Sequence, residues 1–411
     1  MIALLSIGDE LLTGEIVDTN AAWLSARLYE AGLPVTRQLT VGDDPEAIVS
    51  ALTELAARHR AVIVTGGLGP TSDDVTAKAA AKACGRRLAV NEEALEHLQS
   101  FAGRLGGNLH PLNQKQALLP ERATLIPNPV GTACGFSLPL GGCPLFFLPG
   151  VPDEMTAMVR ATVLPHLAEQ FPDRQTLATR ELTVFGISEA EVSGRLAELE
   201  LPDGVGVAYC VSFPSIQVKL RGSGRATGEL TDSLDRAEAL VRGRLAGFVV
   251  AEGGATIDQV VATRFREQGL TVALAESCTG GLVAKRLTDM AGSSAYFLQG
   301  VVTYANSAKE RLLGVPATLL AEKGAVSREV AMAMARGVRQ LAGSDLGLAI
   351  TGIAGPDGGT TEKPVGTVFL ALADGRGCHV KGYRFAGDRE HVRTISAYTA
   401  LDWLRRRLEE S

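Results

Sequence analysis

The chain has 411 residues, and at ~100 to 200 residues per domain this length predicts two or three domains. Its 46% hydrophobic residues, 21% charged residues and 46 glycines are typical of a globular α/β protein and exclude a disordered chain. The net charge of −6 argues against broad affinity for nucleic acid or anionic lipid, because both depend on clustered lysine and arginine.

The opening stretch MIALLSIGDELL carries no basic leader, and Gly8, Asp9 and Glu10 interrupt its apolar run before it could span a membrane. The six cysteines lie far apart and form no C-x-x-C pair, so we expect reduced thiols. Both features favour a cytoplasmic protein without membrane contact.

Residues 1–170 alternate short apolar strands, such as IALLSIG, AVIVTGG and PLFFLPG, with helical stretches. This alternation predicts a mainly parallel sheet that is covered on both faces. Asp18 or Thr19 can cap the first helix, Gly32 can end it, and Pro152 lies near the start of another.

Two adjacent acids, Asp73 and Asp74, follow the glycine turn of VIVTGGLGPTSDDVTAKAA. Hard carboxylate oxygens beside a phosphate-sized turn suggest Mg²⁺ or a similar cation, although acids at this place can also simply cap a helix. A second turn, FLPGVPDEM, repeats the arrangement with Asp153 and Glu154. Three further acids at a strand end can equally face solvent, namely Asp9, Glu10 and Asp18.

The stretch FPDRQ, residues 171–175, is interpreted as a linker. Residues 175–252 then show strands and a helix typical of a small α+β domain, and a third domain of alternating strands and helices covers residues 253–411. The two α/β blocks show no residue-level repeat.

The third block contains ALAESCTGGLVAKRL, residues 273–287, which predicts a buried strand to about Ala275 and a helix from about Gly280. Ser277, Cys278 and Thr279 lie at the junction. The free amides of such a turn can bind an anion, but Ser277 and Thr279 can equally serve only as helix caps.

In the stretch VVTYANSAKERLLG, we expect Tyr304 to follow a strand, Asn306 to cap the next helix and Lys309 to lie in the first turn of that helix. The helix dipole and burial both lower the pKa of such a lysine, which suits a general base for a serine nucleophile. Tyr304 could relay the proton. The alternatives are a solvated lysine and a core tyrosine.

A third strand, LGLAITG, runs into the glycine-rich loop IAGPDGGTTEKPVG. Loops at the carboxyl ends of parallel strands bind ligands in open α/β sheets, although these glycines can also be plain turn formers. Cys278 is a rival nucleophile, but no histidine lies in these stretches to activate it, so Ser277 is favoured.

The motifs AESCTGG, VTYANSAK, TGIAGPDGG and KPVGTV resemble the C-terminal domain of the competence/damage-inducible CinA family, whose members hydrolyse the amide of nicotinamide mononucleotide. The resemblance implies that Ser277 is the nucleophile, that Tyr304 and Lys309 handle the proton, and that this step needs no metal or other cofactor. The substrate would bind at the two turns, at Thr279, Gly280, Gly281, Gly352, Ala354 and Gly355, and the nucleotide phosphate can lie on the backbone amides of either the first turn or the second.

The first block resembles the molybdopterin-binding fold of the MoaB and MogA proteins and, more closely, the N-terminal domain of CinA, which is associated with metal-dependent cleavage of ADP-ribose to AMP and ribose 5-phosphate. Asp74 matches the aspartate of the molybdopterin motif, whereas Leu68 replaces its threonine and Asp73 stands where a basic residue is common. The resemblance implies a divalent metal at Asp74 and Asp73. The substrate would bind at Gly66, Gly67, Gly69, Thr71 and Gly150.

The middle block resembles a KH module, but it lacks a G-x-x-G loop, and its helix carries Glu189, Glu191 and Glu198, which would repel phosphates. We expect a spacer or dimer element, a homodimer and no binding to nucleic acid.

The fold class expected from the sequence is therefore two α/β domains with mainly parallel sheets, joined by a small KH-like α+β domain. The expected function is a bifunctional hydrolase of pyridine-nucleotide salvage that acts on nicotinamide mononucleotide and ADP-ribose. Two alternatives stay open: a molybdopterin-binding or adenylyl-transfer protein, and a non-catalytic adaptor in competence or recombination.

Overall fold

A computed structural model describes residues 2–104, 110–174, 176–224 and 227–410. They form two compact units, one of Met1–Ala178 with Ser223–Thr231 and one of Thr179–Gly222 with Asp232–Ser411. Gln175, where the predicted linker ends and the predicted middle domain begins, lies outside the described residues. The bounds of the three predicted domains therefore stay a prediction.

The first unit contains a six-stranded sheet in the order β2-β1-β3-β8-β7-β6. Strands β2, β1, β3 and β8 run parallel, and β7 and β6 continue the sheet antiparallel. This confirms the predicted mainly parallel sheet. The strands of the unit, including the small separate pair β4 and β5, are β1 Ile2–Ile7, β2 Val35–Val41, β3 Ala61–Thr65, β4 Leu88–Val90, β5 Leu118–Pro120, β6 Thr124–Ile126, β7 Gly135–Leu140 and β8 Cys143–Leu148.

Helices cover both faces of this sheet, because β1 and β3 are buried along their whole length and belong to two hydrophobic clusters. The predicted cap is confirmed: Asp18 accepts a hydrogen bond from the Ala21 amide at the start of α2, and Gly32 follows the helix with a φ of 74°. The helices are α1 Asp9–Leu12, α2 Thr19–Glu30, α3 Pro45–Arg58, α4 Thr76–Ala83, α5 Glu92–Arg104, α6 Pro152–Met158 and α7 Leu164–Gln170.

The middle block forms a four-stranded sheet in the order β10-β11-β9-β12. The three strands and the helix predicted for it are present, whereas the long helix α9 and the short strand β12 were missed. Within the second unit this block packs on the C-terminal block, with the Phe185 and Tyr398 rings 4.9 Å apart. Its elements are β9 Thr176–Phe185, α8 Glu189–Leu196, β10 Val205–Ser212, β11 Ser215–Gly224, α9 Thr227–Arg244 and β12 Val249–Glu252.

The C-terminal block is a five-stranded sheet in the order β14-β13-β15-β16-β17. Strands β14, β13 and β15 are parallel, so their carboxyl ends meet at one edge, and β14 and β15 lie on opposite sides of β13. This is the switch point at which open α/β sheets form ligand crevices. The strands are β13 Val272–Glu276, β14 Phe297–Val302, β15 Leu346–Gly352, β16 Thr367–Ala373 and β17 Cys378–Arg384.

Two hydrophobic clusters enclose this sheet, one that includes residues of α10, α11 and α15 and one that includes residues of α14. Across the described ranges, no helix is both long and apolar enough to cross a membrane. The helices of the block are α10 Ile257–Gln268, α11 Leu282–Thr288, α12 Asn306–Leu313, α13 Ala317–Lys323, α14 Arg328–Ala342 and α15 Arg389–Glu409.

Helices α12 and α14 approach closely at Gly337. A Cβ atom at this position would lie 2.1 Å from the carbonyl oxygen of Leu313, which is backbone and cannot move aside alone. We expect Gly337→Ala to lower the free energy of unfolding by about 1–3 kcal/mol through overpacking, as measured by urea unfolding.

Gly194→Ala in α8 is the matched control, because a Cβ atom there meets nothing within 4 Å. That exchange should raise stability by about 0.5–1 kcal/mol through helix propensity. Equal effects of the two variants would contradict the close approach at Gly337.

Candidate active sites

The structure brings Ser277 and Lys309 together at the carboxyl edge of the C-terminal sheet. Ser277 follows β13 directly, Lys309 lies in the first turn and a half of α12, and Lys309 Nζ is 3.3 Å from Ser277 Oγ. Ser277 is 9% exposed and Lys309 only 1%. A lysine amine therefore contacts a serine hydroxyl in a site from which most water is excluded.

Two further contacts fix the orientation of the Lys309 amine. Its Nζ donates to the carbonyl oxygens of Thr303 at 2.7 Å and of Tyr304 at 3.1 Å. No ion pair with Lys309 occurs in the described part of the chain, and burial lowers its pKa. A neutral amine has two N–H groups, so donation to both carbonyls leaves its lone pair for the Ser277 hydroxyl.

The prediction that Asn306 caps α12 is wrong. Ala305 is the N-cap, with extended φ and ψ of −75° and 153°, and it makes no side-chain cap hydrogen bond; Asn306 is the first residue inside the helix. The helix therefore begins one residue earlier than expected, and the carbonyls of Thr303 and Tyr304, just before it, accept hydrogen bonds from the Lys309 amine.

The phenol of Tyr304 lies away from the predicted relay. The residue is 61% exposed, and its hydroxyl accepts a hydrogen bond from Arg389 Nη2 at 3.1 Å. Tyr304 reaches Lys309 through its backbone carbonyl and not through its ring. The structure thus joins Ser277 with Lys309, and it joins the Tyr304 ring with Arg389.

Glu276 occupies the turn where the sequence suggested a phosphate. This buried carboxylate accepts hydrogen bonds from the amides of Gly281 at 3.0 Å, Val283 at 3.3 Å and Ala284 at 2.8 Å. The proposed anion site on the amides of this turn is therefore wrong for Gly281, because the protein's own carboxylate takes that amide. The signal for Glu276 in the sequence was an acid at a strand end just before two glycines.

Two arginines from the start of α15 line the same edge and were missed from the sequence. Arg389 Nη1 donates to the Gly355 carbonyl at 2.7 Å, and Arg393 Nη2 donates to the Thr279 carbonyl at 3.0 Å. Both predicted turns are thus tied to α15. Neither guanidinium forms an ion pair with another described residue, so their positive charge remains available to an anion.

The remaining predicted residues lie on these turns. Gly352 ends β15 against Val368, where a Cβ atom would come within 2.7 Å of its side chain. Ala354 is buried, Gly355 has a φ of 85°, and Gly280 has a φ of 62°. They shape the backbone of the site, and no side chain of theirs can act chemically.

In the first unit, a cleft of about 460 Å³ follows the carboxyl ends of β1, β3 and β8. The predicted residues Gly66, Gly67, Gly69 and Gly150 line it together with Asp73 and Asp74. Thr71 has another role: its amide and hydroxyl donate to Asp74 Oδ2 at 2.8 and 2.6 Å and so orient that carboxylate.

We call this hollow the acidic cleft, because six carboxylates line it: Glu10, Asp18, Asp43, Asp73, Asp74 and Glu154. Burial raises the pKa of Asp43, and so do the nearby charges of Asp9, Glu10 and Asp73. Burial also raises the pKa of Glu154. These carboxylates repel any anion that arrives without a cation.

Among the described residues, no group of three or more histidine, cysteine, aspartate or glutamate side chains is arranged to hold a metal ion. Asp73 and Asp74 nevertheless fit the way Mg²⁺ is usually bound, through one or two carboxylates with substrate phosphates and water as the other ligands. The acids of the cleft therefore suit a cation that enters with a diphosphate.

Three family models match successive parts of the chain: the probable molybdopterin binding domain over residues 3–169, the damage-inducible protein CinA KH domain over 179–251 and the CinA C-terminal domain over 254–408. A CinA-like protein of Geobacter sulfurreducens is 63% identical over 99% of both chains. The chain belongs to the CinA family.

A second CinA-like protein, from Geobacter metallireducens, is 62% identical over 99% of this chain and 98% of its own. Among solved structures, the competence/damage inducible protein CihA of Agrobacterium tumefaciens is 43% identical, with a TM-score of 0.36, and covers 37% of this chain and 95% of its own. The three family models and the two full-length relatives confirm the family resemblance, and the sheets described above together with these models confirm the fold class expected from the sequence.

Cys278 should be chemically inert although it neighbours Ser277. Burial raises its pKa to about 12, so almost no thiolate forms at pH 8. We expect iodoacetamide at this pH to label the exposed Cys210 but not Cys278 in the folded protein, as read by peptide mass spectrometry. Labelling of both thiols in urea is the control, and equal labelling rates in the folded protein would contradict the burial of Cys278.

Proposed function

We propose that the C-terminal block of this CinA protein hydrolyses the carboxamide of nicotinamide mononucleotide to give nicotinate mononucleotide and ammonia. The observation that carries the proposal is the contact of the buried Lys309 amine with the Ser277 hydroxyl, 3.3 Å between Nζ and Oγ. An amine with a lowered pKa next to a serine is a known substitute for histidine and aspartate in acyl transfer.

In the first step, Ser277 Oγ attacks the carbonyl carbon of the amide and Lys309 accepts the hydroxyl proton. The C–N bond then breaks, and the proton passes from Lys309 to the leaving nitrogen, so that ammonia departs and an ester to Ser277 remains. Water attacks this ester, Lys309 accepts the proton of the water, and the proton returns to Ser277 Oγ as the C–O bond breaks.

The charges around the site support a nucleotide of this kind. The cationic pyridinium ring makes the adjoining carboxamide electrophilic, which favours attack by a serine. The guanidinium groups of Arg389 and Arg393, which contact only neutral oxygens among the described residues, provide charge for the 5′-phosphate. We propose these groups in place of the Gly281 amide, which already donates to Glu276.

We expect Lys309→Met to reduce ammonia release from nicotinamide mononucleotide by at least about 100-fold, because the general base is lost. The wild-type rate should rise with pH through a pKa below the ordinary lysine value, because burial lowers the pKa of Lys309. A coupled ammonia assay measures both. Unchanged turnover in a folded variant would remove Lys309 from the mechanism.

The same variant provides a stability control. Burial lowers the pKa of Lys309 in the folded chain, so the unfolded chain binds more protons and wild-type stability falls as pH drops below the ordinary lysine pKa. Lys309→Met lacks this contribution, and it should unfold at the same temperature as wild type or higher at pH 7. A large loss of stability would mean that any loss of activity reports unfolding.

We further propose that the acidic cleft cleaves ADP-ribose to AMP and ribose 5-phosphate with the help of a divalent cation. A bound cation would offset the diphosphate charge and polarise the P–O bond that breaks. Asp73 and Asp74 would hold the cation, and Gly66, Gly67 and Gly69 leave room for a phosphate near the backbone. Glu154, whose pKa burial raises, lines the same cleft and can accept the proton of the attacking water.

A pterin is the second candidate ligand for this cleft, because the model that matches residues 3–169 describes a probable molybdopterin binding domain. Leu68 in place of the motif's threonine weakens this candidate. Consumption of ATP together with a bound pterin would favour it over ADP-ribose cleavage.

For the protein as a whole we propose a cytoplasmic homodimer in which the middle block is a spacer or dimer element. Helix α8 presents the exposed acids Glu189 and Glu191, which disfavour contact with nucleic acid phosphates.

We expect Asp74→Asn to lower metal-dependent AMP formation from ADP-ribose at least about tenfold, because a cation ligand loses its charge. The amide can still accept the hydrogen bonds from Thr71, so the turn should keep its shape. Ammonia release by the same sample is the control and should be unchanged. Equal loss of both reactions would contradict two separate sites.

A further inference from the structure

A second hollow of about 260 Å³ lies beside the acidic cleft and shares five lining residues with it, namely Gly67, Leu68, Gly69, Asp74 and Gln116. We call it the leucine lobe, and define it by Val75, Lys78, Leu88, Lys115, Leu118 and Leu119. The glycine turn after β3 therefore borders two hollows of different character. The acidic cleft is lined with six carboxylates, whereas the second hollow combines apolar walls with two lysines and only one carboxylate, the shared Asp74.

The walls of the leucine lobe expose apolar surface. Leu88 is 38% exposed and Leu118 is 37% exposed, on the adjacent strands β4 and β5. Strand alternation and the register of Val90 opposite Leu118 put Leu88 on the same face as Leu118. Covering this surface with a flat apolar ring would be favourable, and binding sites for such rings are usually lined in this way.

Gln116 lies at the border of the two hollows and has an unused acceptor. The residue is 7% exposed, its Nε2 donates to the Leu68 carbonyl at 3.4 Å, and its Oε1 has no partner among the described residues. If the side-chain amide were flipped, its oxygen would face the Leu68 carbonyl oxygen, and two acceptors would meet without a donor. The atom without a partner is therefore the oxygen, Oε1. A buried acceptor without a donor is costly and favours a ligand with an N–H group.

The amide of Gln116 is only weakly anchored, because 3.4 Å is long for an N–H···O hydrogen bond. A small rotation can therefore turn Oε1 towards a ring in the leucine lobe. Adenine offers such a ring and carries an exocyclic amino group as donor. Hypoxanthine has a carbonyl oxygen at that position and would place an acceptor against an acceptor.

We propose that the leucine lobe binds the adenine ring of the nucleotide and that Gln116 selects adenine by accepting a hydrogen bond from its amino group. The proposal rests on the proposed cleavage of ADP-ribose. Lys78 and Lys115 supply positive charge for the attached phosphate, and the ribose 5-phosphate half extends into the acidic cleft, where carboxylates accept hydrogen bonds from sugar hydroxyls.

The test measures binding of AMP and IMP to the full chain by calorimetry, in the presence of Mg²⁺. Wild type should bind AMP roughly tenfold more tightly than IMP, since IMP leaves the acceptor unpaired. Gln116→Leu removes the acceptor and should reduce the preference to less than about twofold. Gln114→Leu, on the exposed side of the same 3₁₀ segment Pro111–Ala117, is the matched control and should keep the wild-type preference.

A second variant tests the wall of the lobe independently of Gln116. Leu88→Ser should weaken AMP and IMP binding equally, by roughly fivefold, and leave their ratio unchanged. Absence of AMP binding to wild type, equal affinity for AMP and IMP, a preference that survives in Gln116→Leu, or no effect of Leu88→Ser would each overturn the proposal. If wild type prefers AMP but does not cleave ADP-ribose, the proposed recognition of the base stands. The proposed cleavage reaction is then wrong.

Discussion

The C-terminal site depends on one constraint, which is the burial of a lysine amine beside a serine hydroxyl without a neutralising carboxylate. A charged amine at 1% exposure would be costly, and the protein lowers this cost by lowering the pKa of Lys309. Two backbone carbonyls supplied by one extended segment, Thr303 and Tyr304, are sufficient to hold the neutral form. The close contact of α12 with α14 at Gly337 keeps the helix that carries this amine in place.

The two units share one backbone arrangement, but the charges that face the site are positive in one unit and negative in the other. Each places a glycine turn after a buried central strand, at the carboxyl edge of a parallel sheet. In the C-terminal block, the acid of the turn, Glu276, accepts hydrogen bonds from backbone amides, and guanidinium groups face the site. In the first unit, the acids remain in the cleft. The first arrangement suits an anionic nucleotide directly, and the second suits one that brings a cation.

Much of this could be predicted from the sequence, because central parallel strands are continuous apolar runs and their ends carry the reactive side chains. The nearness of Ser277 and Lys309 followed from that rule, since Ser277 directly follows β13 and Lys309 lies at the start of the helix that follows the neighbouring strand β14. Arg393 could not be predicted in this way, because it reaches Thr279 across 114 residues from a helix whose start shows no motif. Strand β2 was missed because an edge strand with Arg37 and Gln38 lacks apolar alternation. The role of Glu276 depends on hydrogen bonds to amides up to eight residues ahead, which spacing alone does not reveal.

The Glu276 carboxylate at the start of α11 also limits which small anions can bind there. An empty helix start attracts any small oxyanion, so orthophosphate or sulfate would compete there with a nucleotide. Because Glu276 is covalently part of the chain, its local concentration never falls, and free oxyanions cannot displace it by mass action. Competition from such ions is therefore confined to the arginine side of the crevice, where the proposed nucleotide would make more contacts than a free oxyanion.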